Sequence, residues 1–101
     1  MKVIWTDFAK YQLREAVQYY KEVAGIRIAN SIKAKIYEKT RKISRFPEIG
    51  QKENNPIIAS LDYRYLVSGN YKIIYPVIKS GGIILIVSVF DTRQDPDDLE
   101  V

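Results

Sequence analysis

Residues 63–96 constrain the fold more than any other stretch of the chain. Three strand-like runs, YRYLV, YKIIYPV and IILIVSVF, follow one another across Ser68-Gly69-Asn70 and Ser80-Gly81-Gly82. Turns this short join antiparallel neighbours, so the runs predict a three-stranded meander with residues 71–77 in the middle. Strand side chains alternate, which places Ile73, Tyr75 and Val77 on one face and Ile74 and Ile78 on the other. In the last run the same rule sets Ile83, Leu85, Val87 and Val89 against Ile84, Ile86 and Phe90. Both faces are apolar, the pattern of strands covered on both sides. Pro76 has no N–H to give the ladder, so a bulge or an early strand end is expected there.

The first half of the chain supplies one of the two covers. Val3, Ile4 and Trp5 read as a short strand, and Thr6 or Asp7 can cap the helix that follows. Ala9, Leu13, Ala16, Val17 and Tyr20 recur at helical spacing until Gly25 interrupts them. A second helix carries Ala29, Ile32, Ile36, Ile43 and Phe46 on one stripe, and Pro47 ends it by restricting Phe46. So short a link makes the two helices an antiparallel αα-hairpin. Residues 47–60 read as a loop punctuated by Pro47, Gly50, Asn54, Asn55 and Pro56. The predicted fold is thus α+β, a single domain over residues 1–101. It has a short N-terminal strand, the αα-hairpin packed on one sheet face, and the antiparallel meander. A hairpin covers one face only; the other must curl on itself, be closed by the C-terminal tail, or await a partner.

Composition removes several kinds of chemistry. The 101 residues contain no His and no Cys, which excludes a Ser-His-Asp triad, a Cys nucleophile, disulfides and the usual zinc sites. Acid–base chemistry would fall to Tyr, Lys, Arg, Asp or Glu, whose ordinary pKa values lie far from neutrality. No cofactor or metal is indicated. No apolar run approaches the roughly 20 residues needed to cross a bilayer, and the N-terminus lacks the apolar core of a signal peptide. A cytoplasmic protein without a membrane partner is expected. The formal net charge of +4 suits an acidic protein partner or a nucleic-acid backbone, or nothing in particular.

Individual cations stand out against this background. Arg64, Lys72 and Arg93 interrupt apolar strands or follow them, as an anion site would require. Each also has a structural alternative: Arg64 pairing with Asp62 or a helix carboxylate, Arg93 with Asp91 or Asp95. The second helix is strongly basic, with Lys35, Lys42 and Arg45 along one flank and Lys39 inside the apolar stripe, its stem packed and its ammonium reaching solvent. That flank is either a solvated face or an electrostatic guide for an acidic partner. Tyr63, Tyr65, Tyr71 and Tyr75 read as core and cross-strand packing rather than catalytic acids.

Taken in order, the leading strand, the helical hairpin, FPEIG, YRYLVSGNYKIIYPV and VSVFDTRQDPDDL resemble the RelE/ParE superfamily of type II toxin–antitoxin toxins over nearly the whole chain. The resemblance implies a plasmid-stabilisation type of toxin, held in a hetero-oligomer by a cognate antitoxin with an acidic C-terminal segment. Lys35, Lys42, Arg45, Ile84 and Ile86 are the matching candidates for antitoxin binding. RelE-like members cleave mRNA on the ribosome without metal, using strand and C-terminal cations, for which Arg64, Lys72 and Arg93 are the matching positions. Past Arg93, however, QDPDDLEV has no aromatic residue or His and four acidic ones, which repel a phosphate backbone. DTRQDP is closer to the ParE-like ending. The resemblance therefore implies a DNA gyrase inhibitor with Arg64, Lys72, Arg93 and Asp95 as candidate target contacts. A ribosome-dependent mRNA endonuclease and a non-toxic antitoxin-binding module are the alternatives.

Overall fold

The computed structural model describes residues 1–58, 62–77 and 81–101. The chain opens with strand β1 (Lys2–Trp5), then helices α1 (Asp7–Ala24) and α2 (Ile26–Arg45). Strands β2 (Gln51–Lys52), β3 (Tyr63–Ser68), β4 (Tyr71–Pro76), β5 (Ile83–Ile86) and β6 (Ser88–Asp91) follow, with a 3₁₀ turn at Pro96–Asp98. The expected α+β fold is present. Thr6 is the cap: its hydroxyl accepts from Ala9 N at 3.1 Å, satisfying a helix-end donor that has no partner within the helix. Gly25 joins the helices at φ 92°, a left-handed value that glycine adopts without a Cβ penalty. Phe46 ends α2 at φ −134°, ψ 80°, the extended backbone that a following proline imposes.

The sheet differs from the expected meander in two respects. The run IILIVSVF is not one strand. Its first half, β5, pairs in parallel with β1 from Lys2↔Ile83 to Trp5↔Ile86, and its second half, β6, pairs antiparallel with β4. The break falls at Val87, whose N–H donates to Ile74 O at 2.9 Å. A two-residue edge strand, β2, also joins β3, so the antiparallel sheet runs β2-β3-β4-β6. Between β3 and β4 the chain turns on Gly69 and Asn70, with Gly69 at φ 58°. Strand β4 ends at Pro76, as a residue without an N–H predicts. Ile78 and Ser80, assigned above to a strand face and a turn, lie outside the described residues, as does the end of the expected 47–60 loop.

The break at Val87 corrects the expected faces. Ile84, Ile86 and Val89 share a core with Ala9, Leu13 and Ala16 of α1, Ile36 and Ile43 of α2, and Tyr71, Ile73 and Tyr75 of β4. Unbroken alternation would have put Val89 opposite Ile84 and Ile86; one residue outside the ladder shifts the phase. Val87 and Phe90 belong to a second core on the other face, with Tyr63 and Ile74. The 53–58 loop and the tail close that face through Ile58, 6% exposed, and Leu99, 3% exposed, while Asn55 Nδ2 donates to Pro96 O at 3.0 Å. Of the three possibilities for the second face, the chain uses its own tail and loop. Phe46, expected on the buried stripe of α2, is 62% exposed, because it lies past the helix end, where the stripe no longer applies.

Candidate target-contact surface

Arg64 and Lys72 face opposite sides of the sheet. Arg64 pairs across the ladder with Tyr75, three positions from Lys72 on the same strand, and an odd separation reverses the face. On the helix side, Arg64 Nη1 donates to Gly50 O at 2.8 Å and to Glu48 O at 3.4 Å. Tyr75 works on the same loop: its hydroxyl donates to Pro47 O at 2.7 Å and accepts from Gly50 N at 3.0 Å. Burial pushes the Tyr75 phenol above its ordinary pKa, with the Gly50 amide opposing. Arg64 thus binds backbone carbonyls of FPEIG, neither Asp62 nor a helix carboxylate, and its task here is to fix a loop.

Lys72 lies on the tail side. Its ammonium meets Glu53 Oε2 at 2.9 Å and stands 4.4 Å from the centroid of the Tyr65 ring. Glu53 is 5% exposed and its other oxygen accepts from Asn55 N at 3.0 Å. A buried carboxylate needs such a set of partners. Sequence reasoning passed over Glu53 because nothing local marks it. Only the β2–β3 pairing carries it across to the Lys72 side.

Arg93 stands at the end of β6 and is held from two sides. Its Nε and Nη2 donate to Asp91 Oδ1 and Oδ2 at 3.0 and 2.8 Å, the fork geometry that makes Arg–carboxylate pairs directional. Its guanidinium carbon lies 5.9 Å from the Tyr20 ring centroid, within cation–π range. The side-chain hydrogen bond from Arg93 holds Asp91 below the ordinary carboxylate pKa, and Asp91 correspondingly raises that of Arg93. Next to them, burial first and then Tyr20 and Asp91 push Tyr71 up to about 12. A phenol so high is a poor general acid or base at neutral pH. Thr92 N and Oγ1 both donate to Asn70 O at 2.7 Å, tying this turn to the β3–β4 turn. Asp95 caps the 3₁₀ turn through Asp97 N at 2.9 Å.

Beside Arg93 lies an open groove of about 580 Å³, walled by Tyr11, Gln12 and Tyr19 of α1 and by Tyr71, Asp91 and Gln94. Gln12 braces it, its Oε1 accepting from Val89 N at 2.6 Å. The structure therefore gathers Arg93, Asp91 and four tyrosines, Tyr11, Tyr19, Tyr20 and Tyr71, and gathers neither Arg64 nor Lys72 with them. Among the expected antitoxin contacts, Lys35, Lys42 and Arg45 are exposed, and Lys42 lies 4.0 Å from Glu38. Ile84 and Ile86 are 4% and 0% exposed, packed in the core beneath the hairpin rather than standing on the surface. Among the described residues no group of three metal-ligating side chains forms, and no helix is long and apolar enough to cross a membrane.

Comparison with known proteins decides the family. The model of the ParE toxin of type II toxin–antitoxin systems, parDE, matches residues 3–96. The chain belongs to this ParE toxin family. No curated protein matches it. Among solved structures, one described as the chromosomal ParDE toxin–antitoxin system from P. aeruginosa superposes with a TM-score of 0.71 at 19% identity, covering 88% of this chain and 92% of that one. That likeness bears out the fold, the ParE family model bears out a type II toxin, and ParE membership implies an antitoxin partner.

Proposed function

We propose that this ParE family member is a toxin that inhibits DNA gyrase by binding it, and that an antitoxin neutralises it by covering its surface. The observation carrying this reading is the dispersal of the three cations. Metal-free RNA cleavage needs several groups converging on one phosphate, to activate the 2′-hydroxyl, neutralise charge and protonate the leaving oxygen. Here Arg64 is committed to a loop, Lys72 to Glu53 on the other face, and Arg93 to Asp91. What remains at the end of β6 is a rigid, partly charged and tyrosine-rich surface, which is equipment for binding. Arg93, Asp91 and Gln94 are its polar contacts for the target, and Asp95 keeps the adjoining turn in shape. Lys35, Lys42 and Arg45 form a basic flank suited to an acidic antitoxin segment.

The test is gyrase supercoiling with the purified chain, alongside a translating extract. Inhibition that Arg93→Glu weakens by about tenfold or more, with translation intact, supports the reading. Codon-dependent mRNA cleavage with normal supercoiling would establish the ribosome-dependent endonuclease instead. Folded protein inert in both assays would leave a non-toxic antitoxin-binding module.

A further inference from the structure

The groove beside Arg93 carries a charge opposite to that of the chain. Its charged wall residues are Glu15, Asp91 and Arg93, and Asp91 is already answered by Arg93 at 2.8 Å. Glu15 is left over. It is exposed and joins no ion pair among the described residues. A Lys or Arg three or four positions away is what stabilises an exposed glutamate on a helix. The residues at those positions around Glu15 are Tyr11, Gln12, Gln18 and Tyr19. Tyr11, Glu15 and Tyr19 thus form one row at i, i+4 and i+8, with steps of about 6 Å at the helical rise, all in the α1 wall of the groove. The two tyrosines are 51% and 50% exposed, so their rings are open to a partner.

Arg93 itself shows what such a row accepts. Its guanidinium is held by a carboxylate, Asp91, and lies 5.9 Å from the centroid of an aromatic ring, Tyr20. Tyr19 packs edge-on against that ring, with centroids 5.2 Å apart. Glu15, flanked by Tyr11 and Tyr19, offers the same two partners to a guanidinium from outside: a carboxylate to pair with and a π-face to stack on. A nucleic-acid strand would gain stacking on the tyrosines but would bring phosphates to an unneutralised carboxylate. We propose that this groove receives an arginine side chain of the target protein, its guanidinium paired with Glu15 and stacked on the neighbouring tyrosine rings. The inference deepens the gyrase reading and rests on it for the identity of the target, while the chemistry of the groove is separable from that identity.

The full chain is titrated with a capped Gly-Arg-Gly peptide while its tyrosine ring resonances are followed by NMR. The same peptide with citrulline, a neutral isostere of arginine, and a single-stranded oligothymidylate serve as comparison probes. Expected are saturable shifts of the Tyr11 and Tyr19 rings with the arginine peptide only, weakened by salt. Glu15→Gln lowers that affinity by about threefold to fivefold, the range for an exposed ion pair. Tyr19→Leu, which keeps an apolar side chain without a π-face, lowers it too. Glu100→Gln, exposed in the tail and outside the groove wall, makes the same change in net charge as Glu15→Gln and leaves the affinity in place. In the supercoiling assay Glu15→Gln weakens inhibition by a similar factor, and Glu100→Gln does not. The amide spectrum identifies any variant that fails to fold, and Glu15→Ala then replaces Glu15→Gln. Arginine-peptide binding that needs Glu15, in a chain that leaves supercoiling intact, would overturn the gyrase reading and support the groove's chemistry. No shifts with the arginine peptide, an equal response to citrulline or oligothymidylate, equal losses from the two glutamine variants, or gyrase inhibition untouched by Glu15→Gln would overturn the proposal.

Discussion

Tyr75 and Gly50 fit each other so closely that no side-chain atom can be added at Gly50 without a shift. The Tyr75 hydroxyl accepts from Gly50 N at 3.0 Å, and a Cβ placed on Gly50 would stand 2.6 Å from that oxygen and 2.9 Å from Tyr65 O. The conflict is steric rather than conformational. Gly50→Ala should therefore cost about 1–3 kcal/mol, the range for forcing a group into filled space. Tyr75→Phe leaves the Gly50 donor and the Pro47 carbonyl unpaired, about 1–3 kcal/mol again. The double variant should cost less than the sum, since phenylalanine removes the nearest clashing atom. Urea denaturation of the four proteins measures this, and strict additivity would contradict the contact.

Glu53 and Lys72 are expected to behave as a unit. Lys72→Met leaves a carboxylate that is 5% exposed without its counter-ion, and should destabilise by about 2–3 kcal/mol. That is below the loss from a fully buried pair because the Lys72 side chain is 29% exposed. Adding Glu53→Met should recover most of the loss, because the double variant buries no unpaired charge. A double variant as unstable as Lys72→Met alone would mean that packing, not charge, holds Lys72.

The pair Asp91–Arg93 predicts a pH dependence of definite sign. The folded-state pKa of Asp91 is depressed, so its stabilisation is fully present above the unfolded carboxylate value of about 3.9. It is lost as pH falls through the lower, folded value. Wild type should melt above Asp91→Asn at neutral pH, with the gap narrowing as the medium is acidified below that unfolded value. A gap independent of pH would show that Asp91 acts through hydrogen-bond geometry alone.

Leu99 closes the second core from the tail. Leu99→Ala should cost about 2–3 kcal/mol, near the low end for buried leucine because a tail relaxes more easily than a helix. It should also raise binding of a hydrophobic dye, as Ile58, Tyr63 and Phe90 become accessible. Unchanged stability and dye binding would mean that the 53–58 loop covers this face unaided.

The features legible in the sequence were those fixed locally. Thr6, Gly25, Pro47 and Pro76 act through their own backbone or their immediate neighbours, and Asp91 reaches Arg93 two residues away. The partners of Arg64 and Lys72 depend on where residues 46–53 lie, and no periodicity encodes that. The split of IILIVSVF was hidden for a different reason. Nearly every residue in it can be buried on either side, so a change of phase at Val87 leaves no mark in the hydrophobic pattern.

The parallel pairing of β1 with β5 has a consequence for how the protein is made. Lys2 has its ladder partner at Ile83, 81 residues further along the chain. Closing so long a loop precedes any reward from the contact, which slows folding relative to a chain of local contacts. Until β4 and β5 exist, the apolar stripes of the hairpin have nothing to rest on, and β1 is an unpaired edge. The groove beside Arg93 is completed only by residues that follow β5, Val89, Asp91, Arg93 and Gln94. A nascent ParE chain therefore lacks this groove until the residues beyond β5 have been made, however early its helices form.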